Sequence, residues 1–143
     1  MRMVIGSDHG GFTLKEKIKK YLTESGIEVT DVGTDSEDSV DYPDYAEKAV
    51  EKILNGSADS GVLVCGSGIG ISIAANRFKG IRAALVYNEE VARLSREHND
   101  SNIFVSGGRT MDHDQVLSNL KIWLETKFTG GRHSRRICKL DKY

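Results

Sequence analysis

Cysteine and proline are both scarce in this chain. Its 143 residues include two cysteines, Cys65 and Cys138, and one proline, Pro43. Two cysteines this far apart make no disulfide framework, and in a reducing compartment both would be free thiols. A single proline excludes a proline-rich linker. No apolar run approaches the roughly 20 residues that a membrane span needs. No basic, apolar and small-residue leader opens the chain, so a cytoplasmic protein is expected. Asn55-Gly56-Ser57 and Asn99-Asp100-Ser101 then read as coincidental glycosylation sequons. An excess of one charge is missing too: 20 basic residues face 21 acidic ones, a net charge of −1. Neither nucleic acid nor a membrane surface is therefore expected as a partner. There is no H-E-x-x-H, no paired C-x-x-C and no clustered His/Asp set, so no metal is expected. Without a G-x-x-x-x-G-K-[ST] segment, a nucleotide-hydrolysing P-loop is argued against.

What is present is a regular alternation of short apolar runs and helical stripes. The length fits one domain over residues 1–143, with 131–143 as a basic helical tail. Residues 3–6 read as a buried strand. Leu14, Ile18, Tyr21 and Leu22 form the stripe of a helix closed by Gly26. Strands follow over 27–32, 61–65, 82–86 and 103–106. Helices follow over 42–54, 69–78, 89–98 and 112–128, the last with Val116, Leu117, Leu120, Trp123 and Leu124 inward. Ala46, Ala49, Val50 and Ile53 mark the inner face of 42–54, and 69–78 is unusually apolar, hence expected to be buried. Gly61-Val62-Leu63-Val64-Cys65 is apolar throughout, as a central parallel strand should be. Five strands separated by helices imply βαβ units, an α/β fold and an open, doubly wound parallel sheet. Ligands bind such sheets beyond the carboxyl ends of the strands. The unusual polar and glycine-rich segments 7–11, 65–70 and 107–110 fall at those ends.

Cys65-Gly66-Ser67-Gly68-Ile69-Gly70 follows a buried strand and opens a helix. Glycines there let the backbone approach a ligand and point several N–H groups, with the helix dipole, into one concavity. A thiol at the start of a helix is placed where thiolates are favoured. The same turn also fits a plain tight βα connection, and Cys65 also fits a small buried hydrophobe. The spacing is not G-x-G-x-x-G and follows the third strand, which weakens a dinucleotide site. Asp8 could cap the helix that follows it, whereas His9 is a ready contact for an anion or substrate. His98 and Asn99 also fit a helix C-terminus, where histidine favours the dipole and asparagine caps. Arg132 and Arg136, four apart on a helix, could hold one phosphate, and Arg109 sits in a glycine turn. All three also fit solvated surface charge. Arg135, Lys139, Lys142, His113 and His133 read as surface residues, and the acidic residues 31–41 as a solvated loop.

Ser7-Asp8-His9-Gly10-Gly11-Phe12, Asp41-Tyr42-Pro43, the block from Cys65 through Ile69-Gly70-Ile71-Ser72-Ile73-Ala74-Ala75-Asn76, Ser95-Arg96-Glu97-His98-Asn99-Asp100 and Gly130-Gly131-Arg132-His133 carry a resemblance. Over residues 3–136 the chain resembles the ribose-5-phosphate isomerase B family, which includes galactose-6-phosphate and allose-6-phosphate isomerases. The resemblance implies a Rossmann-like three-layer α/β/α sandwich with a five-stranded parallel sheet. It implies an aldose–ketose isomerase acting on a sugar phosphate, without metal or other cofactor. It further implies a homodimer or a dimer of dimers with shared active sites. By motif, Cys65 is the base, His98 opens the furanose ring, and Asp8 and Ser67 assist. The backbone of Gly66, Gly68, Ile69 and Gly70 stabilises the enediolate, while Tyr42 and Asn99 line the sugar site. His9, Arg109, Arg132 and Arg136 hold the phosphate.

The expected reaction joins ribose 5-phosphate and ribulose 5-phosphate. Allose 6-phosphate or galactose 6-phosphate is the rival substrate, since one carbon is worth only about 1–3 kcal/mol of discrimination. A non-catalytic phosphate-binding module would explain the glycine turn and the arginines but leave Cys65 and His98 idle. A thiol redox protein would need Cys138 beside Cys65.

Overall fold

Alternation along the strands divides the apolar side chains between two faces, and that division builds the fold. The computed structural model describes residues 1–143. Strands β1 (Arg2–Ser7), β2 (Glu28–Asp31), β3 (Ser60–Cys65), β4 (Ala83–Leu85) and β5 (Ile103–Gly107) form one all-parallel sheet in the order β2-β1-β3-β5-β4. Met3, Ile5, Val62, Val64 and Phe104 turn to one face. There they pack on Leu14, Ile18 and Leu22 of α1 (Phe12–Glu24) and on residues of two later helices. Val4, Leu63, Cys65, Ile103 and Val105 turn to the other face. They pack on Ala46, Ala49 and Val50 of α2 (Tyr42–Leu54) and on Ile71 and Ala75 of α3 (Ile69–Ala75). The helices completing the first layer are α4 (Glu89–Glu97), through Ala92, and α5 (His113–Glu125), through Val116, Leu120 and Trp123. The result is the three-layer α/β/α sandwich with a five-stranded parallel sheet. Each fully buried Val, Leu or Ile contributes about 1.5–3 kcal/mol, so the two apolar faces hold the layers together.

Helix α2 has the expected bounds, and β3 is central and buried. The expectation for residues 69–78 fails. Residues 69–78 are not buried throughout, because a helix lying on a sheet covers only one side of its 3.6-residue turn. Ile71, Ser72 and Ala75 face inward, while Ile69 and Ile73 are 55% and 58% exposed. The helix also stops at Ala75. The next side chain, Asn76, bonds both the N–H and the carbonyl of Ala83, tying this end of the chain to the edge strand β4. A last helix, α6 (Arg132–Leu140), lies after the fifth βα unit.

The strand order reverses between β1 and β3. The turns following β1, β3 and β5 meet at that switch, at the carboxyl edge of the sheet, where a doubly wound fold opens a ligand crevice.

Candidate active site

The turn after β3 is shaped by its glycines. Gly68 has φ of +79°, and a Cβ there would stand 2.6 Å from Leu85 Cδ1 and 2.9 Å from the Ser106 carbonyl carbon. Only glycine tolerates both the left-handed backbone and the approach. The bend brings the Gly68 N–H to within 3.1 Å of Cys65 Sγ, which accepts it. Ser67 Oγ accepts the Ile69 N–H at 3.1 Å. The N–H groups of Gly66, Ser67 and Gly70 donate to no acceptor of the protein. Cys65 is 5% exposed and its side chain adjoins the apolar layer beneath the sheet, with the turn's amide at the sulfur.

Two neighbouring turns lock onto this one. Asp8 Oδ1 accepts the Gly11 N–H at 3.2 Å and so caps the 3-10 turn over His9–Gly11, the capping role its position allows. His9 Nδ1 accepts the Val40 N–H at 3.2 Å, which leaves the ring hydrogen on Nε2. A methyl group on Gly10 would stand 2.9 Å from the Gly66 nitrogen, so the first and third turns touch. From the β5 turn, the Gly108 N–H donates to the Cys65 carbonyl at 2.8 Å and the Arg109 N–H to the Gly66 carbonyl at 2.9 Å. The Arg109 side chain lies over Gly66, its Cδ 3.5 Å from where a Cβ would be, and it is exposed. The Tyr42 ring rests on Gly70, where a Cβ would come 2.7 Å from Cζ. Asp8, His9, Tyr42, residues 65–70 and Arg109 are thus assembled at one edge.

His98, Asn99, Arg132 and Arg136 are at the opposite edge. His98 caps the end of α4 and precedes β5, whose register sets Ile103 beside Gly61 and Gly107 beside Cys65. Four residue steps of strand, ~13 Å at about 3.3 Å each, therefore separate the start of β5 from the level of Cys65. Thr129 donates its N–H and hydroxyl to the Glu97 carbonyl at 3.2 and 2.8 Å, which brings α6 to the same place. Arg82 donates to the carbonyls of Asn99 and Asp100 and, at 3.0 Å each, to both carboxylate oxygens of Asp141. The 98–101 loop and α6 are one unit as a result. Arg132 and Arg136 project from it exposed. A cleft of about 440 Å³ adjoins this unit, lined by Asn99, Arg82, Phe78, Leu140 and Tyr143 and remote from Cys65.

Two histidines depart from the surface role expected of them. His133 is 9% exposed and stacks on His98, with ring centroids 4.2 Å apart and planes 14° apart. Burial, then the adjacent His98, Arg132 and Arg136, push its imidazole below the usual value. His113 is half-buried and bonded to the Gly108 carbonyl at 2.8 Å. The His98–His133 stack has no local sequence signal, because the two rings come from different elements.

The sequence profile of the family described as Ribose/Galactose Isomerase matches residues 3–140. The chain belongs to the ribose/galactose isomerase family. Among members of that family, ribose-5-phosphate isomerase B of Escherichia coli is 43% identical over 136 residues, covering 95% of this chain and 91% of the relative. The solved ribose-5-phosphate isomerase B of Clostridium thermocellum superposes with a TM-score of 0.98 at 48% identity, covering 99% of this chain and 96% of that one. That of Thermotoga maritima gives 0.97 at 54% identity, covering 99% and 98%. The Rossmann-like class is accordingly the family's fold. No helix of the chain is long and apolar enough to cross a membrane.

Proposed function

We propose that this chain is an aldose–ketose isomerase interconverting ribose 5-phosphate and ribulose 5-phosphate. The observation that carries the reading is the thiol of Cys65 under a turn whose N–H groups at Gly66, Ser67 and Gly70 have no acceptor, with Arg109 lying over it. That group of atoms suits a carbon acid next to a developing oxyanion and a phosphate. The Escherichia coli, Clostridium thermocellum and Thermotoga maritima relatives are all named for ribose 5-phosphate, which supports the pentose over a hexose 6-phosphate. A non-catalytic phosphate-binding module would leave the thiol without a task.

The steps follow from the residues. His98 exchanges a proton with the ring oxygen or anomeric hydroxyl and opens the furanose. The Cys65 thiolate then takes the proton from C2 of the aldose. The electron pair of that C–H bond forms the C1–C2 double bond, and the charge moves to O1. N–H groups of residues 66–70 hold this charge; one such donor is worth about 3 kcal/mol in an oxyanion hole. The thiol returns its proton to C1 while the O2 hydroxyl proton passes to O1, which leaves the ketose. Asp8 and Ser67 orient the sugar oxygens, and Tyr42 and Asn99 line the sugar. His9, Arg109, Arg132 and Arg136 hold the phosphate, fixing the reacting carbon from a distance.

These groups act together only if a second copy supplies some of them. One chain carries Cys65 at the carboxyl edge of the sheet and His98, Asn99, Arg132 and Arg136 at the amino edge. In a homodimer, or a dimer of dimers, the His98 unit of each subunit completes the Cys65 turn of the other. The exposed Ile69 and Ile73 on α3, directly after that turn, are the apolar surface that such a contact needs.

Incubation with ribose 5-phosphate, allose 6-phosphate and galactose 6-phosphate, followed by NMR for the ketose, tests the reading. Ribulose 5-phosphate should form fastest. Faster turnover of a hexose 6-phosphate, or none of ribose 5-phosphate, would overturn it.

A further inference from the structure

We infer that His113 is a positioning residue for Arg109, acting through the peptide that joins Gly108 to Arg109. The inference rests on the reading of Arg109 as a phosphate ligand. That peptide is held on both sides. Its N–H, from Arg109, donates to the Gly66 carbonyl at 2.9 Å. Its carbonyl, from Gly108, lies 2.8 Å from His113 Nε2. A carbonyl oxygen only accepts, so Nε2 carries the ring hydrogen and donates it. The other ring nitrogen, Nδ1, lies 2.9 Å from Lys17 Nζ. An ammonium only donates, so Nδ1 is bare and accepts. Lys17 of α1 thereby fixes both the tautomer and the plane of the ring at the start of α5.

The clamped peptide has little room to shift in other directions. The Gly108 N–H donates to the Cys65 carbonyl at 2.8 Å, and a Cβ on Gly108 would stand 2.7 Å from the Gly10 carbonyl oxygen. His113 is the one side chain that bonds the Gly108 carbonyl. Without it that carbonyl has no protein donor, and the peptide can rotate about its flanking bonds. Because Arg109 leaves the backbone from this unit, rotation would swing the guanidinium away from its place over Gly66. His113 touches neither the sulfur nor the phosphate ligands, so its loss should change phosphate binding and not proton transfer.

The test compares His113→Ala, His113→Gln and Arg109→Ala. For His113→Ala the KM for ribose 5-phosphate should rise about 10-fold with kcat within about 2-fold of the parent, the pattern of lost uniform binding. The glutamine amide can donate to the same carbonyl, so His113→Gln should return KM to within about 2-fold of the parent. Hydrogen exchange of the Arg109 amide in the substrate-free protein should speed up in the alanine variant and slow again in the glutamine variant. A raised KM in Arg109→Ala with unchanged KM and unchanged Arg109 exchange in His113→Ala would overturn the inference alone. If the parent protein fails to isomerise ribose 5-phosphate, the functional reading falls. The Arg109 exchange rates still decide whether His113 holds the peptide.

Discussion

In the proposed reaction negative charge develops at O1 while the distant phosphate carries a fixed charge, and the proposal gives each to different residues. At the β3 end, the polar atoms beside the thiol Sγ of Cys65 are the unpaired N–H groups of its turn and the Ser67 hydroxyl. Near the phosphate, arginine is suited by its fork of donors, which matches phosphate oxygens two at a time. Arg132 projects from α6 beside the stacked pair His98 and His133. Replacing it should therefore act on one end of the substrate. Arg132→Ala should raise the KM for ribose 5-phosphate by about 10- to 100-fold, the worth of a charged hydrogen bond at about 1.5–3 kcal/mol. Turnover of ribose lacking the phosphate should stay unchanged. Equal losses on both sugars, measured side by side, would remove Arg132 from the phosphate site. His133 shows the limit of reading residues singly: it follows Arg132 in a basic tail, and only the folded chain brings its ring onto His98.

Between elements, a largely buried ion pair joins α1 to β2. Lys15 is 1% exposed, and its ammonium meets Asp31 Oδ2 at 2.7 Å, with Glu16 at 2.9 Å and Lys19 completing the group on Asp31. Burial raises the Asp31 carboxyl, but bonds from Lys15, the Gly33 N–H and Lys19 outweigh it and hold the group below its usual 3.8. The folded state thus prefers the charged carboxylate. Its stabilisation is present above about pH 4 and is lost as pH falls through the lower folded value. Asp31→Asn should cost about 2 kcal/mol at neutral pH, less than a fully buried pair because Asp31 and Glu16 keep contact with water. Denaturant melts at pH 7 and pH 3 check both points: the gap between parent and variant should shrink at pH 3, and an equal gap would contradict the account. Patterns with a period were legible in the sequence, such as α2 over Tyr42–Leu54 and the apolar run of β3. The acidic stretch that includes Asp31 read as solvated loop, because nothing local announces that Lys15 will need a partner. The apolar composition of 69–78 reads as a buried helix, because composition alone does not say which side of a helix meets the sheet.

At the scale of the molecule, the sequence alone groups Asp8, Cys65 and Arg109 at the strand ends, since βαβ order places the carboxyl ends of parallel strands together. The same rule does not reach His98 and Arg132, which lie at the amino edge of the sheet and which the proposal joins to Cys65 through a second copy. A dimer with shared sites makes a quantitative demand. Cys65→Ala and His98→Ala homodimers should each be inactive. After subunit exchange about half the dimers are mixed, and each mixed dimer holds one intact site of two. Activity should return to about a quarter of the parent level by this count. No recovery after exchange, verified by native mass spectrometry, would place each site within one chain.

The most direct measurement is turnover of ribose 5-phosphate by Cys65→Ala, with phosphate binding followed by calorimetry on the same sample. Loss of the proton-transferring base should lower kcat by at least about 10³-fold while phosphate binding stays near the parent value. Near-parent turnover in that variant would contradict the assignment of the thiol as the base.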